Sequence, residues 1–470
     1  MDDQNNKINN LHFKDVPMVM VYSPNQEEGS FVEFENESLV SPESLSIKKQ
    51  SFHDPVCRSL SSCGSENCST TYMVMGNSVA ESIKIVVFSA KINLLIPFGP
   101  LAIVVDKFSG HNGWVFILSL LGIIPLAERL GYTTEQLACY TGPTVGGLLN
   151  ATFGNATELI ICVYALRNGM IRVVQQSLLG SILSNMLLVL GCAFFAGGLV
   201  NSKREQVFNK ALYFSQGAAT MSSGLLLMAV MGLLFPAVLH STHTELHFGR
   251  SELSLSRFTS CIMLVAYAGY LVFQLKSQSN LYHSVNEGNG EIDVPLDDNE
   301  EAPEISKWES IIWLSILTIW ISIISEYLVD AIEGASLKMH IPVAFISVIL
   351  LPIVGNAAEH AGAVMFAMKD KLDISLGVAI GSSTQIAMFG IPFCVVVGWI
   401  MGRPMDLNFQ LFETATLFIT VLVVAFMVQE GTSNYFKGLM LVLCYVIVAA
   451  SFFVHIDPSA IADKYLKPSS

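Results

Sequence analysis

Charged residues are scarce in this chain. Only 14% of its 470 residues are Asp, Glu, Lys or Arg, whereas 52% are hydrophobic. Soluble domains carry about 25% charged residues, so a soluble globular fold is excluded. Several stretches longer than about 18 residues hold almost no charge, and they predict a polytopic helical membrane protein.

Basic residues are also few, with 25 Lys and Arg against 39 Asp and Glu, for a net charge of −14. Most of the excess acid lies in residues 1–80 and 277–308, which leaves the apolar part near neutral. This balance argues against nucleic-acid binding. Residues 1–80 are rich in Ser, Asn and Glu without sustained periodicity, and they predict a largely disordered cytosolic tail.

The nine cysteines include no Cys-x-x-Cys pair. Six of them lie in apolar segments, where a free cysteine behaves as a small hydrophobic residue. The sequence therefore supports neither a disulfide framework nor a thiolate metal site. A His-Glu-x-x-His motif is absent as well, which makes a membrane metalloenzyme a remote alternative.

What the chain does contain is a repeated motif. Residues 154–158 read Gly-Asn-Ala-Thr-Glu, and residues 355–359, 201 positions later, read Gly-Asn-Ala-Ala-Glu. Each copy places a glutamate, Glu158 or Glu359, within a long apolar stretch. One such glutamate would also fit a carboxylate that holds helices together. Because an ionisable group in a bilayer is costly, two matched copies instead predict a transporter that arose by duplication.

The hydrophobic pattern predicts eleven membrane spans. The motifs lie in spans three and eight, and a shift of five spans reverses the direction in which the chain crosses the bilayer. We therefore expect an all-α polytopic membrane protein in which one extra helix precedes two inverted five-helix repeats. The predicted spans are 83–105, 112–128, 137–166, 172–199, 211–236, 254–275, 309–331, 340–367, 373–400, 408–428 and 437–455.

This division gives five regions: an N-terminal tail at 1–80, span one with the first repeat at 81–276, an acidic cytosolic linker at 277–308, the second repeat at 309–456, and a C-terminal tail at 457–470. Lys and Arg are nearly balanced between the two sets of loops, so the positive-inside rule gives no orientation. Long acidic tails and linkers are more often cytosolic, which predicts a cytosolic N-terminus.

The two glutamates predict how an ion is carried. Calcium prefers several oxygen ligands, including carboxylates and backbone carbonyls. Glu158 and Glu359 supply two charges that match the ion, and helix breaks at Gly154 and Gly355 would free carbonyls. Two ionised carboxylates cannot lie together in a low-dielectric site without a cation, so the site holds either metal or protons. This alternation makes exchange obligatory, and it requires no sodium.

Further polar residues near the motifs are candidate ligands or supports. His360 follows Glu359 directly, and it fits either a group that tunes the carboxylate or passes protons, or a packing histidine. The other candidates are Asn155, Asn356, Thr157, Ser181, Ser382 and Gln385.

Two further sets of residues leave alternatives open. Glu128 and Glu326 lie near span ends, where they fit either a role in the ion path or simple interfacial carboxylates. In the loop after span five, His240, His243 and His247 have spacings that would place them on one helical face as a luminal transition-metal contact, and they also fit a solvated loop.

The segments around both motifs closely resemble the signature repeats of the vacuolar cation/proton exchangers of plants and fungi, which belong to the calcium/cation antiporter superfamily. The resemblance covers about residues 80–455 and does not include the first 70 residues. It rests on the sequences at 154–161 and 352–364, and it is supported by those at 125–129, 134–138, 142–151 and 371–379.

The resemblance implies a secondary active antiporter, not an enzyme, that exchanges cytosolic Ca²⁺, or another divalent metal such as Mn²⁺, for vacuolar H⁺ without a cofactor. It implies alternating access in the vacuolar membrane and an autoinhibitory N-terminal tail with its own regulators. The protein is also expected to form homo- or hetero-oligomers. The implied calcium site comprises Glu158, Glu359, nearby carbonyls, Asn155 and Asn356, with support from Ser181, Ser382 and Gln385.

Two other transport classes remain open. A sodium-coupled calcium exchanger of the same superfamily would need additional sodium sites and Gly-Thr-Ser-x-Pro-Glu-type repeats, which the sequence lacks. A cation channel with a ring of glutamates usually has rotational symmetry, which oppositely oriented repeats disfavour.

Overall fold

The computed structural model describes most of the apolar part of the chain. The tails at 1–80 and 457–470 lie outside the described residues, as does part of the acidic linker, 288–302, so the predictions of tail disorder and autoinhibition also lie outside them. The described residues are 81–200, 206–207, 213–245, 247, 250–287, 303–429 and 431–455.

Helices account for almost all of the described chain. Three π-helical segments interrupt them, at Ser184–Val189, Ile346–Leu350 and Ile386–Gly390, and a short 3₁₀ helix lies at Lys91–Leu95. Two short strands, β1 (Gln206–Val207) and β2 (Thr432–Ser433), pair antiparallel. The helices are α1 (Phe98–Ser109), α2 (Asn112–Phe153), α3 (Ala156–Arg167), α4 (Ile171–Leu183), α5 (Leu190–Val200), α6 (Tyr213–Ser241), α7 (Arg250–Glu287), α8 (Lys307–Met339), α9 (Val343–Phe345), α10 (Leu351–Gly355), α11 (Ala357–Met368), α12 (Leu372–Gln385), α13 (Ile391–Ile400), α14 (Leu411–Gln429) and α15 (Tyr435–Val454).

Within the described residues, nine helical stretches are long and apolar enough to cross a membrane. A tenth span is formed by the pair Val343–Gly355 and Ala357–Met368, which is bent by 60°. The remaining predicted span, 137–166, corresponds to the second part of α2 and to α3, which are separated at Gly154 and Asn155. Each of the eleven predicted spans therefore contains helix, and the all-α polytopic fold is confirmed.

Helix α2 departs from the predicted boundaries, because it runs through the expected gap between spans two and three. A Cβ atom placed on Gly146 would lie 3.0 Å from the Cβ of Ala138. Residues eight positions apart in a straight helix are separated by about 12 Å. The helix therefore turns back between these two residues, which lie after the predicted gap at 129–136, inside predicted span three.

The backbone repeats as the motifs do. Asn155 and Asn356 interrupt their helices with nearly the same angles, φ −105° and ψ 20° for the first, φ −103° and ψ 12° for the second. A π-helical segment then follows α4 in the first half and α12 in the second. Both halves thus depart from regular α-helix at matching positions, as expected for two copies of one unit.

The outer helices present large apolar side chains to their surroundings. Val265 of α7, Phe426 of α14 and Ile447 of α15 are each more than 60% exposed. Exposed apolar surface of this kind is typical of a membrane-facing region. The motif residues Asn155, Glu158 and Asn356, by contrast, are buried, which places the candidate site inside the helical assembly.

Candidate ion-binding site

The helix breaks bring the two motif glutamates together. Glu158 lies in the first turn of α3, and Glu359 lies in the first turn of α11. A Cβ atom on Gly355 would lie 3.6 Å from Glu158 Oε1, and one on Gly154 would lie 3.7 Å from Glu359 Oε1. Each carboxylate therefore points at the glycine of the opposite motif. The helix N-termini favour negative charge at this position.

Polar atoms without partners are concentrated at this point. Glu158 is 7% exposed. In the described part of the chain, neither of its carboxylate oxygens has a hydrogen-bond partner of normal geometry, and the same holds for Glu359 Oε2. Ser181 Oγ, Asn356 Nδ2 and Gln385 Nε2 are likewise buried without a partner there. Buried polar atoms without partners are costly, so the carboxylate and hydroxyl oxygens of this set fit a cation or protons that complete them.

A chain of hydrogen bonds holds the predicted support residues in place. Ser382 Oγ donates to Asn155 Oδ1 at 3.2 Å, and Asn185 Nδ2 donates to Ser382 Oγ at 3.1 Å. Asn185 Oδ1 in turn lies 3.3 Å from His360 Nε2, which also lies 3.4 Å from Ser184 Oγ. The network therefore links the two halves and ties His360 to the site.

Asn185 is a site residue that sequence reasoning missed. It lies in the π-helical segment Ser184–Val189, four residues after Ser181, in an otherwise apolar stretch. The position 201 residues later is Ile386, so the repeat comparison gives no signal there. An asparagine within an apolar span is itself the signal that would have identified it.

A cavity of about 810 Å³ leads from Glu359 to one face of the protein. Its inner part is lined by Gly154, Thr157, Gly355, Ser382 and Gln385, among other residues. The outer part contains Glu128, Tyr132 and Glu135, and because Glu135 is exposed, the cavity is open at this end.

The open face carries the end of the acidic linker. The Tyr132 hydroxyl donates to Glu304 at 2.7 Å, and the Glu304 backbone N–H donates to Gln136 Oε1 at 2.8 Å. Glu128 pairs with its neighbour Arg129 and remains part of the cavity wall. Glu128 and Glu359 therefore line the same cavity.

Glu326, the counterpart of Glu128, has a different position. It pairs with Arg167 at 3.4 Å on the opposite face of the protein and does not line the cavity. Beside this pair, Asn168 Nδ2 donates to Asp330 Oδ1 at 2.6 Å, and Arg403 donates to the Arg167 carbonyl at 2.5 Å. We call these two contacts and the Arg167–Glu326 pair the sealed face.

The packing around two equivalent glycines, Gly180 and Gly381, also differs between the halves. A Cβ atom on Gly180 of α4 would lie 2.1 Å from the Val348 carbonyl oxygen, so α4 packs directly on the segment Ile346–Leu350. Gly381 of α12 lines the cavity and has no atom within 4 Å of such a Cβ position. The cavity is therefore the gap left where α12 does not pack on the counterpart segment of α2.

The three loop histidines do not share one helical face. His240 is the penultimate residue of α6, His243 lies in a turn with φ 53°, and His247 precedes α7. Of the three, His240 contacts Glu245 and Glu252, two residues that the histidine spacing did not indicate.

Known proteins share this sequence and architecture. The family described as sodium/calcium exchanger protein matches residues 111–276 and 309–454. The chain is 72% identical over 391 residues to vacuolar cation/proton exchanger 5 of Arabidopsis thaliana, covering 83% of this chain and 87% of that protein. It is 73% identical over 384 residues to vacuolar cation/proton exchanger 2 of Oryza sativa subsp. japonica, covering 82% and 86%.

Among solved structures, native YfkE aligns with a TM-score of 0.64 and 34% identity, covering 77% of this chain and 100% of that protein. A selenium-substituted form of YfkE, described as a Ca²⁺/H⁺ antiporter protein, aligns with a TM-score of 0.62. On the strength of the family match and of relatives above 70% identity, this chain belongs to the sodium/calcium exchanger protein family and, within it, to the vacuolar cation/proton exchangers.

Proposed function

We propose that this protein is a secondary active antiporter that moves cytosolic Ca²⁺ into the vacuole in exchange for luminal H⁺. The observation that carries the proposal is the crossed pair Glu158 and Glu359. Each carboxylate points at the glycine of the opposite motif with an unpaired oxygen, and Glu359 lines an open cavity. The names of the relatives and of YfkE support the same ions.

Charge balance explains why the exchange is coupled. A Ca²⁺ ion neutralises both carboxylates, and two protons do the same, whereas two bare carboxylates would repel each other in a low-dielectric site. An empty, doubly ionised site is too costly to move between the faces. The site therefore changes the face to which it is open only when it holds either the metal or protons.

The residues around the pair have distinct proposed roles. Glu158 and Glu359 bind the metal or the protons, and Asn155, Asn356 and the carbonyls at Gly154 and Gly355 complete the oxygen ligands. Ser181, Ser382 and Gln385 support these ligands, while Asn185 and His360 hold the network between the halves. Glu128 lies on the entry path.

The proposed orientation places the open cavity in the cytosol. The end of the acidic linker, at Glu304, borders the cavity mouth, and long acidic segments are more often cytosolic. The N-terminus would then be cytosolic and the sealed face luminal. In this orientation the cavity gives cytosolic Ca²⁺ access to the pair.

Calcium uptake into proteoliposomes tests the proposal. The purified protein is reconstituted with an acidic interior in sodium-free buffer, and uptake of radioactive calcium is followed with and without an ionophore that dissipates the pH gradient. We expect uptake that collapses with the gradient and is competed by Mn²⁺. No uptake under a proton gradient, but uptake driven by an outward sodium gradient, would contradict it.

A further inference from the structure

A second cluster of ionisable side chains lies where α6 is connected to α7. His240 lies at the end of α6, Glu245 lies in the connection, and Glu252 lies in the first turn of α7. His240 Nδ1 is 3.3 Å from Glu245 Oε1 and 2.8 Å from Glu252 Oε2. The three atoms all lie within 4.8 Å of one another, so one nitrogen and two carboxylate oxygens converge on a common point.

Both carboxylates of the cluster are buried. The side chains of Glu245 and Glu252 are 1% and 6% exposed, whereas that of His240 is 39% exposed. Glu252 Oε1 is buried and has no hydrogen-bond partner in the described part of the chain. Solvent therefore reaches the cluster on the histidine side, and one buried carboxylate oxygen remains to be satisfied.

The local negative charge exceeds what the histidine can balance. Asp406, in the connection between α13 and α14, adds a further carboxylate close enough to Glu252 to interact with its charge. Arg172 partly offsets Asp406, but its guanidinium donates to Glu413 and Gln175. A protonated His240 supplies one positive charge against two buried glutamates, so a divalent cation matches the cluster better.

The backbone fixes the two carboxylates relative to each other. The Glu252 N–H donates to Glu245 Oε2 at 3.3 Å, which leaves Glu245 Oε1 directed at His240. The ends of two helices thus position His240 and Glu252, and the Glu252 N–H fixes Glu245 in the connection between them. Preorganised ligands of this kind favour metal binding.

We propose that His240, Glu245 and Glu252 bind a divalent first-row transition-metal ion at a site separate from the glutamate pair. An imidazole nitrogen with two carboxylates suits Zn²⁺ or Mn²⁺, whereas Ca²⁺ prefers oxygen ligands alone. The site lies near the sealed face. Asp406, which neighbours Glu252, accepts a hydrogen bond from Gln175 of α4 at 2.8 Å, and Arg403, in the same α13–α14 connection as Asp406, donates to the Arg167 carbonyl.

Zinc titration of the purified full-length protein tests the site. Excess Ca²⁺ is present to occupy the glutamate pair, and binding is measured by calorimetry. We expect His240→Ala to lower the affinity for one equivalent of Zn²⁺ by about tenfold or more. The matched control is His247→Ala, because His247 is exposed and outside the cluster. Equal stoichiometry and affinity in wild type and His240→Ala would overturn the proposal.

Two further measurements keep the proposal testable if His240→Ala fails to fold. Glu252→Gln preserves the side-chain volume and should lower the affinity for the same equivalent of Zn²⁺ by a similar factor. Pulsed electron paramagnetic resonance of Mn²⁺ bound to the unmodified protein, again with excess Ca²⁺, should detect coupling to an imidazole nitrogen. Unchanged Zn²⁺ affinity in Glu252→Gln, or Mn²⁺ without nitrogen coupling, would overturn it.

Discussion

The two halves of this protein carry the same motif but pack differently around it. In the first half, Gly180 lies against the Val348 carbonyl, and the neighbouring face is sealed by contacts such as that between Arg167 and Glu326. In the second half, Gly381 borders an open cavity, and Glu128 lines the wall. One structural unit therefore occurs in a closed and an open packing within a single chain.

This difference suggests how access could alternate. If the second half adopted the packing of the first, α12 would approach α2 near Gly147, the counterpart of Val348, and the cavity would close. If the first half opened in turn, the sealed face would separate. Such an exchange of packings is the inverted-repeat form of alternating access, with the glutamate pair near the pivot.

The largest expected effect comes from removing one carboxylate of the pair. Glu158→Gln or Glu359→Gln leaves a single charge, which neither balances Ca²⁺ nor enforces exchange, so we expect calcium uptake to fall by about 100-fold or more. Uptake in proteoliposomes measures this, with gel filtration as the check on folding. Thr416→Ala, on an exposed helix face, is the control. Uptake near the wild-type rate in either glutamine variant would refute the two-carboxylate mechanism.

A smaller but more selective effect is expected at Gly381. Gly381→Ala fits the open packing, but in the closed packing its Cβ would meet backbone as one on Gly180 would. Overpacking costs about 1–3 kcal/mol, so turnover should fall roughly 5- to 150-fold while Ca²⁺ binding persists.

Gly377→Ala is the matched control for Gly381→Ala. Gly377 also lines the cavity one turn away, and its counterpart in the closed half is Gln176, whose full side chain is accommodated and buried there. Gly377→Ala should therefore transport normally. Equal turnover of the two alanine variants would show that the halves do not exchange packings.

The smallest expected effects distinguish the two faces. Glu128→Gln removes a negative charge from the cavity wall, so the KM for Ca²⁺ should rise roughly two- to fivefold with little change in the maximal rate. Glu326→Gln breaks an exposed ion pair worth at most about 1 kcal/mol, so it should change the maximal rate and spare KM. Initial uptake rates over a range of Ca²⁺ concentrations measure both. The opposite assignment of the two effects would invert the proposed entry face.

Hydrophobic periodicity and the repeat were enough to predict the fold, because both are properties of local sequence. The pairing of Glu158 with Glu359 also followed from the repeat. The bend of α2 did not, because it requires contact between Ala138 and Gly146 across a helical stretch. Asn185 was missed because its counterpart is Ile386, and the contact of His240 with buried carboxylates depends on how two helix ends meet.

The asymmetry between the halves was beyond sequence reasoning for a different reason. The two copies of the unit have matching glycines at 180 and 381, and nothing in either copy states which one is packed. That choice belongs to a conformational equilibrium of the whole protein. Both packings are conformations of the same sequence, so the sequence alone does not identify the half that is open.

Crosslinking the sealed face tests the exchange of packings most directly. Asn168→Cys and Asp330→Cys, introduced together after the nine native cysteines are replaced, place two thiols where the side chains now form a 2.6 Å hydrogen bond. A short reversible bifunctional thiol reagent then joins them. We expect crosslinking to stop Ca²⁺/H⁺ exchange and to leave Ca²⁺ binding from the cavity side intact, and we expect a reductant to restore exchange. Complete crosslinking with exchange at the original rate would contradict this expectation.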